Sequence, residues 1–474
     1  MPAPKEIVFT RIFPWPGVLK LMPLRAEMLP FITAYTIKPD SGFVPRLANI
    51  SLIAMVCLSV TAPVITISSD LPWLKIEQLA LPVILFSYAW FLFARIARPV
   101  RFNFMCVVGA VYALCITASI FYGWAYLGHA VIVRDLYEIP KALLPVLFFT
   151  LGLETEMSES WLKVLLNCFS LAILFVCLYA WAQWANLSVS HILASYYSGG
   201  WHDEGSLAHY RRVYSTMGNP NLLGQLMTWS VAAFALAALH NVGSRLRNVL
   251  MALAAFVTLV MTGSRYGILN ISLALGLVWS LMFLQRHRRK LATVSLLLSL
   301  PVLAIAGAAV AKYNPATVDR LQTLQNPLTT DSLRERLDSL WQDAGREFVQ
   351  SPFLGHGPAK SIFSEVITDS EYLDVLKEFG SVGFFAYLGY YLYPIFVFWA
   401  YLRPNSRTPW GFHQISPANS WVMLLSFVML CTALVMNIGM STFYNPSLQA
   451  FLWLWVGIGA SAARNNARNL SVAR

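Results

Sequence analysis

Residues 417–463, PANSWVMLLSFVMLCTALVMNIGMSTFYNPSLQAFLWLWVGIGASAA, hold no Asp, Glu, Lys or Arg, and the charge-free stretch runs from 408 to 463. Its break is Asn437-Ile438-Gly439 through Tyr444-Asn445-Pro446. It therefore divides into two apolar runs of about 20 residues, the length that crosses ~30 Å of hydrocarbon. Ten more such runs begin near 47, 78, 104, 139, 164, 217, 249, 267, 291 and 381. The fourth is short and starts at Pro140-Lys141; the seventh and eighth are parted only by Thr262-Gly263-Ser264-Arg265. Composition agrees: 57% of residues are hydrophobic, 12% are charged and mean hydropathy is +0.58, against roughly 25% charged in soluble domains. The sequence predicts an all-α polytopic membrane protein with about 12 transmembrane helices.

Cytoplasmic loops retain Lys and Arg. With the N-terminus inside, 21 of the 34 basic residues fall on the inner side. Of the 13 outside, seven lie in or beside one long loop, where the rule has little force. An even number of spans puts both termini in the cytoplasm and this loop outside. The expected organisation is a cytoplasmic or interfacial segment 1–46, helices one to nine over 47–312, an outer loop 313–380, helices ten to twelve over 381–463, and a tail 464–474. The net charge of +11 is then a topology signal and requires no nucleic acid. No cleavable signal peptide is expected, and residues 15–37 could lie flat at the inner leaflet. The six cysteines fall in apolar runs, without disulfide or zinc spacing.

The outer side collects the chemistry. Residues 188–220 carry Tyr196, Tyr197, Trp201 and several His, which suit sugar faces but equally a bilayer interface. Arg211 and Arg212 precede Asn219-Pro220, a helix start with Pro at the first helical position. A helix N-terminus beside two arginines is an anion seat, although arginines also snorkel at interfaces. Arg265 turns between two spans at membrane depth, where an ionisable group is costly and a functional candidate; capping helix-end carbonyls is its alternative. Arg134-Asp135 reads as a local ion pair. In the long loop, 331–348 has an amphipathic helix pattern, 351–358 a Gly-His-Gly turn, and Thr368 with Glu371 a capping box. Asp369 and Glu371 are candidate bases or structural carboxylates. The loop is acidic, net −5 over 313–380, so anion binding falls to the arginines.

In order, Arg-x-Tyr-x-Thr-x-Gly-Asn-Pro-Asn at 212–221, Thr-Gly-Ser-Arg at 262–265, Pro-x-x-Gly-x-Gly at 352–357 and x-x-Glu-Tyr-Leu-x-x-Leu-x-Glu-x-Gly-x-x-Gly at 369–383 resemble the bacterial O-antigen ligase and O-antigen polymerase family. The resemblance covers roughly residues 80–460. It implies a cofactor-free, metal-independent glycosyltransferase of the inner membrane, working at the periplasmic face. The donor would be a glycan on undecaprenyl pyrophosphate, the acceptor a glycan or lipid A core, with the bilayer and chain-length regulator proteins as further partners. Arg211, Arg212 and Arg265 would hold the pyrophosphate, Asp369 and Glu371 would be catalytic, and Asn219, Asn221, His356 and Tyr372 would bind substrate. Ligases typically place His, then Asn or Ser, where this sequence has Asp369-Ser370, so the polymerase branch is the better match. A lipid-linked oligosaccharide transporter is the alternative from another class. It would want charged groups within the spans and internal symmetry, and the sequence displays neither.

Overall fold

The computed structural model describes residues 43–65, 74–75, 103–197, 212–284, 336–363, 368–402, 416–440 and 445–472, with the single positions 290, 293, 312 and 334. The expected spans near 78 and 291, the segment 15–37, and Trp201 and Arg211 lie outside them. The protein is an all-α polytopic membrane protein. Its helices are α1 Phe43–Thr61, α2 Phe104–Leu127, α3 Val133–Glu154, α4 Glu159–Trp184, α5 Ser188–Tyr197, α6 Pro220–Leu239, α7 Arg245–Met261, α8 Arg265–Leu284, α9 Trp341–Gln350, α10 Lys360–Phe363, α11 Glu371–Leu402, α12 Pro417–Met436 and α13 Pro446–Val472. Seven of them, α2, α3, α4, α6, α8, α11 and α12, are long and apolar enough to cross a membrane. The described strands are two residues each, Val64–Ile65 paired antiparallel with Leu74–Lys75.

Close packing comes from small residues and from aromatics with satisfied polar ends. Gly152 of α3 and Gly457 of α13 leave no room for a Cβ, since one on Gly152 would lie 2.6 Å from the Leu454 carbonyl oxygen. Membrane helices approach closely at such residues because lipid offers no hydrophobic drive. In the centre, the indoles of Trp229, Trp421 and Trp453 donate to Thr432 Oγ1 (2.9 Å), Ala233 O (2.8 Å) and Gln449 Oε1 (2.7 Å). A buried indole N–H without a partner would be costly.

Three expectations need correction. The fourth span starts at Val133, not at Pro140, and Pro140 and Pro145 lie inside it. Its first turns carry charges that read as loop, yet Glu138 and Lys141 are 6% exposed and pair with each other at 2.9 Å. Charged groups do therefore occur within a span. The amphipathic stretch is helical as expected where it is described, a π-helical turn Arg336–Leu340 running into α9. Glu371 opens α11 at its first position, so the Thr368 capping box does not form; the Thr368 hydroxyl donates to Asp374 Oδ1 at 2.8 Å instead.

Gly380, at φ 65 and ψ −171, kinks α11, a conformation open essentially to glycine alone. The segment before the kink would end on unsatisfied carbonyls. The strip 352–357 satisfies them: His356 N–H donates to Lys377 O (3.0 Å) and Gly357 N–H to Glu378 O (2.9 Å). This strap fixes the loop over one end of the helix bundle. At the other end, Arg464 bridges Glu154 at 3.1 Å and Glu156 at 3.6 Å.

Candidate active site

The site is built on two helix N-termini. Residues 212–221 lead into α6 through a 3-10 turn, Ser215–Met217. Ser215 has a positive φ of 47 and is held there by hydrogen bonds from its Oγ to Val176 O (2.7 Å) and from its N–H to Gln183 Oε1 (2.8 Å). Asn219 caps α6, its side chain accepting from Asn221 N–H at 2.8 Å, with Pro220 at the first helical position. Ser264 starts α8 in the same manner, its Oγ accepting from Gly267 N–H at 3.1 Å. The two starts touch, because a Cβ on Gly224 would come within 3.1 Å of Ser264 Cβ. Two positive dipole ends thus converge.

Arg212 joins them. Its Nε donates to Thr262 O, the carbonyl that ends α7, and its Nη2 to Asn221 Oδ1, both at 2.9 Å. Arg212 thus caps a helix end. Arg265 is half-buried as the first residue of α8. Tyr266 follows it, and the Tyr266 hydroxyl accepts from Nη1 of Arg336 at 3.0 Å. Arg336 donates through Nη2 (2.8 Å) and Nε (3.2 Å) to Oδ2 of Asp369. An unbroken path of neighbours therefore runs from Arg212 through the 262–266 turn to Arg336 and Asp369.

Asp369 sits at a positive φ of 55, and its side chain is 48% exposed. Glu371 is 1% exposed, and its N–H donates to Asn437 O at 3.0 Å. Tyr372 lies against the bundle, its hydroxyl donating to Leu434 O at 2.6 Å. The His356 ring is buried, with Nε2 2.8 Å from Glu347 O. Burial pushes the Glu347 carboxyl up, against Lys377 and His356. Asp135 accepts from Ile132 N–H and from Lys360 N–H across the loop, both at 2.8 Å. Lys360 bridges Glu378 at 2.6 Å. Burial works against its charge, but Glu378 and Glu138 outweigh it and hold the ammonium above its ordinary range.

The structure thus gathers Arg212, Asn219, Asn221 and Arg265 at one seat and Asp369 beside it through Arg336. Glu371, Tyr372 and His356 pack beneath the loop, facing protein. Sequence reasoning passed over Arg336 and Tyr266. Arg336 was one of several loop charges, and only its position on the inner face of the π-helical turn could have marked it.

A polytopic helical membrane protein with two arginines at converging helix N-termini and a carboxylate-bearing segment beside them is the class these features define. Residues 250–388 match the family model described as O-antigen ligase, and the chain is similar to the O-antigen ligase and polymerase family, as its motifs imply. The matched stretch contains Arg265, Tyr266, Arg336, His356, Asp369, Glu371 and Tyr372; Arg212, Asn219 and Asn221 precede it. No curated protein matches the chain. The family points to an enzyme of glycosyltransferase type acting on lipid-linked glycans in a membrane.

Proposed function

We propose that the protein polymerises oligosaccharide repeats carried on undecaprenyl pyrophosphate, at the periplasmic face of the inner membrane. The observation that carries this is the path from Arg212 and the α8 start to the half-exposed Asp369. The acceptor hydroxyl attacks the anomeric carbon, the bond from that carbon to the pyrophosphate oxygen breaks, and the hydroxyl proton passes to Asp369. Arg212, Arg265 and the two helix N-termini take the charge that collects on the leaving pyrophosphate. Arg suits this because its planar fork binds oxyanions bidentately and stays charged. Asp369 suits the base role better than Glu371, which is too buried to meet an acceptor. Asn219 and Asn221 shape the seat, and His356 and Tyr372 hold the loop that faces the acceptor.

Ligation to lipid A core is the second reading, favoured by the description of the matched family. Transport is the third, and buried Glu138 and Lys141 would serve it; they neutralise each other within α3, which favours a structural pair. The test is incubation of purified protein with a synthetic lipid-linked repeat unit alone. A ladder of products supports the polymerase. Product only after core acceptor is added means ligase, and no product with either overturns both.

A further inference from the structure

We propose that Arg336 is a positioning residue for the transfer: it holds Asp369 by one carboxylate oxygen and, through Tyr266, fixes that carboxylate against the arginine-bearing start of α8. The inference rests on the reading of Asp369 as base. Both bonds from Arg336 go to Oδ2, and among the described residues no hydrogen bond to Oδ1 occurs. One oxygen is thus clamped and the other is left to meet a hydroxyl on the half-exposed side.

The clamp is itself held from behind. The Arg336 side chain is 14% exposed, and its guanidinium carbon lies 5.7 Å from the centre of the Tyr266 ring, within cation–π range. Tyr266 also lies against Gly439, where any Cβ would overlap the ring. Gly439 follows Asn437, whose carbonyl receives the N–H of Glu371. Loop, hairpin and the turn after α12 thus meet at Tyr266. The positive φ of Asp369 is uncommon for a residue with a Cβ, and the Arg336 clamp holds it. Among the described residues, the other ionisable groups nearest in sequence on these elements are Arg265 and Tyr266 at the start of α8, buried Glu371 and Asp374 and half-buried Tyr372 on α11, and exposed Arg334 and Asp338 on the segment of Arg336.

Two measurements test this. In the transfer assay, Arg336→Ala should lower kcat on the order of 10²-fold, the cost of a misplaced group, with KM for the lipid-linked donor unchanged. Arg336→Lys should recover part of the rate. In an Asp369→Asn background, Arg336→Ala should add no further loss; an equal loss there would show that Arg336 acts apart from Asp369. The second measurement needs no turnover. The thiol introduced by Asp369→Cys is titrated with a membrane-impermeant maleimide, and adding Arg336→Ala should raise its pKa by about one unit, as for loss of an adjacent opposite charge. An unmoved thiol overturns the inference. A thiol that moves, in a protein that transfers no glycan to any acceptor, keeps the clamp and removes the glycosyltransferase reading instead.

Discussion

At the scale of single residues, the two carboxylates of the Asp-Ser-Glu motif are alike in sequence and opposite in placement. Asp369 is half-exposed and Glu371 is buried. General-base help is worth about 10²–10⁴-fold, so Asp369→Asn should lose that much rate at unchanged thermal stability. Glu371→Gln should instead act through folding, seen as a lowered melting temperature; an inactive Glu371→Gln with a fully active Asp369→Asn would exchange their roles. Arg265→Ala should abolish transfer. Arg212→Ala also unties Thr262 O and Asn221, so it should cost about 1–3 kcal/mol of stability besides activity. Wild-type turnover in either variant would remove that arginine from the mechanism. Motif order made these residues legible in the sequence. Arg336 was not legible, because its value depends on a carboxylate 33 positions away and on Tyr266.

Among elements, those with local signals could be read directly. Asn219-Pro220 marks the start of α6, and the turn 262–264 separates α7 from α8. The start of α3 was hidden, since Arg134, Asp135 and Glu138 read as loop until Lys141 pairs with Glu138 and the Lys360 N–H donates to Asp135. The loop's hold on the bundle is equally non-local, and Lys360 carries much of it. Glu378 is buried and pairs with Lys360 at 2.6 Å. Removing one partner of a buried pair typically costs about 3–5 kcal/mol. Lys360→Gln should therefore lower thermal stability in detergent by an amount of that order, with the partial exposure of Lys360 placing it at the low end. Because the ammonium is held above its ordinary range, its charge is kept through that range and is lost as pH rises through the raised value. No loss of its contribution is expected between pH 5 and 9. A melting temperature that falls across that window in the wild type but not in Lys360→Gln would contradict the pairing.

For the whole molecule, the charge that the seat must balance decides whether a metal is needed. A glycan–pyrophosphate–lipid carries about two negative charges, and the departing lipid pyrophosphate about three. Arg212 and Arg265 supply two positive charges, and the N-termini of α6 and α8 add about half a charge each. Their sum is comparable with the leaving group, so the seat can stabilise it without a divalent cation. Among the described residues, no three His, Cys, Asp or Glu side chains are grouped as ligands. Of the loop's described carboxylates, Asp369 is held on Arg336 and Asp374 on Thr368. Transfer should consequently continue in EDTA at close to its untreated rate. It should also weaken as ionic strength rises, because exposed charges are screened beyond about 8–10 Å near physiological salt. The decisive measurement is initial rate after chelation, with and without added Mg²⁺ or Mn²⁺. Loss on chelation that either ion restores would place a cation among the carboxylates at 369–374, and Asp369 would then be a ligand rather than the base.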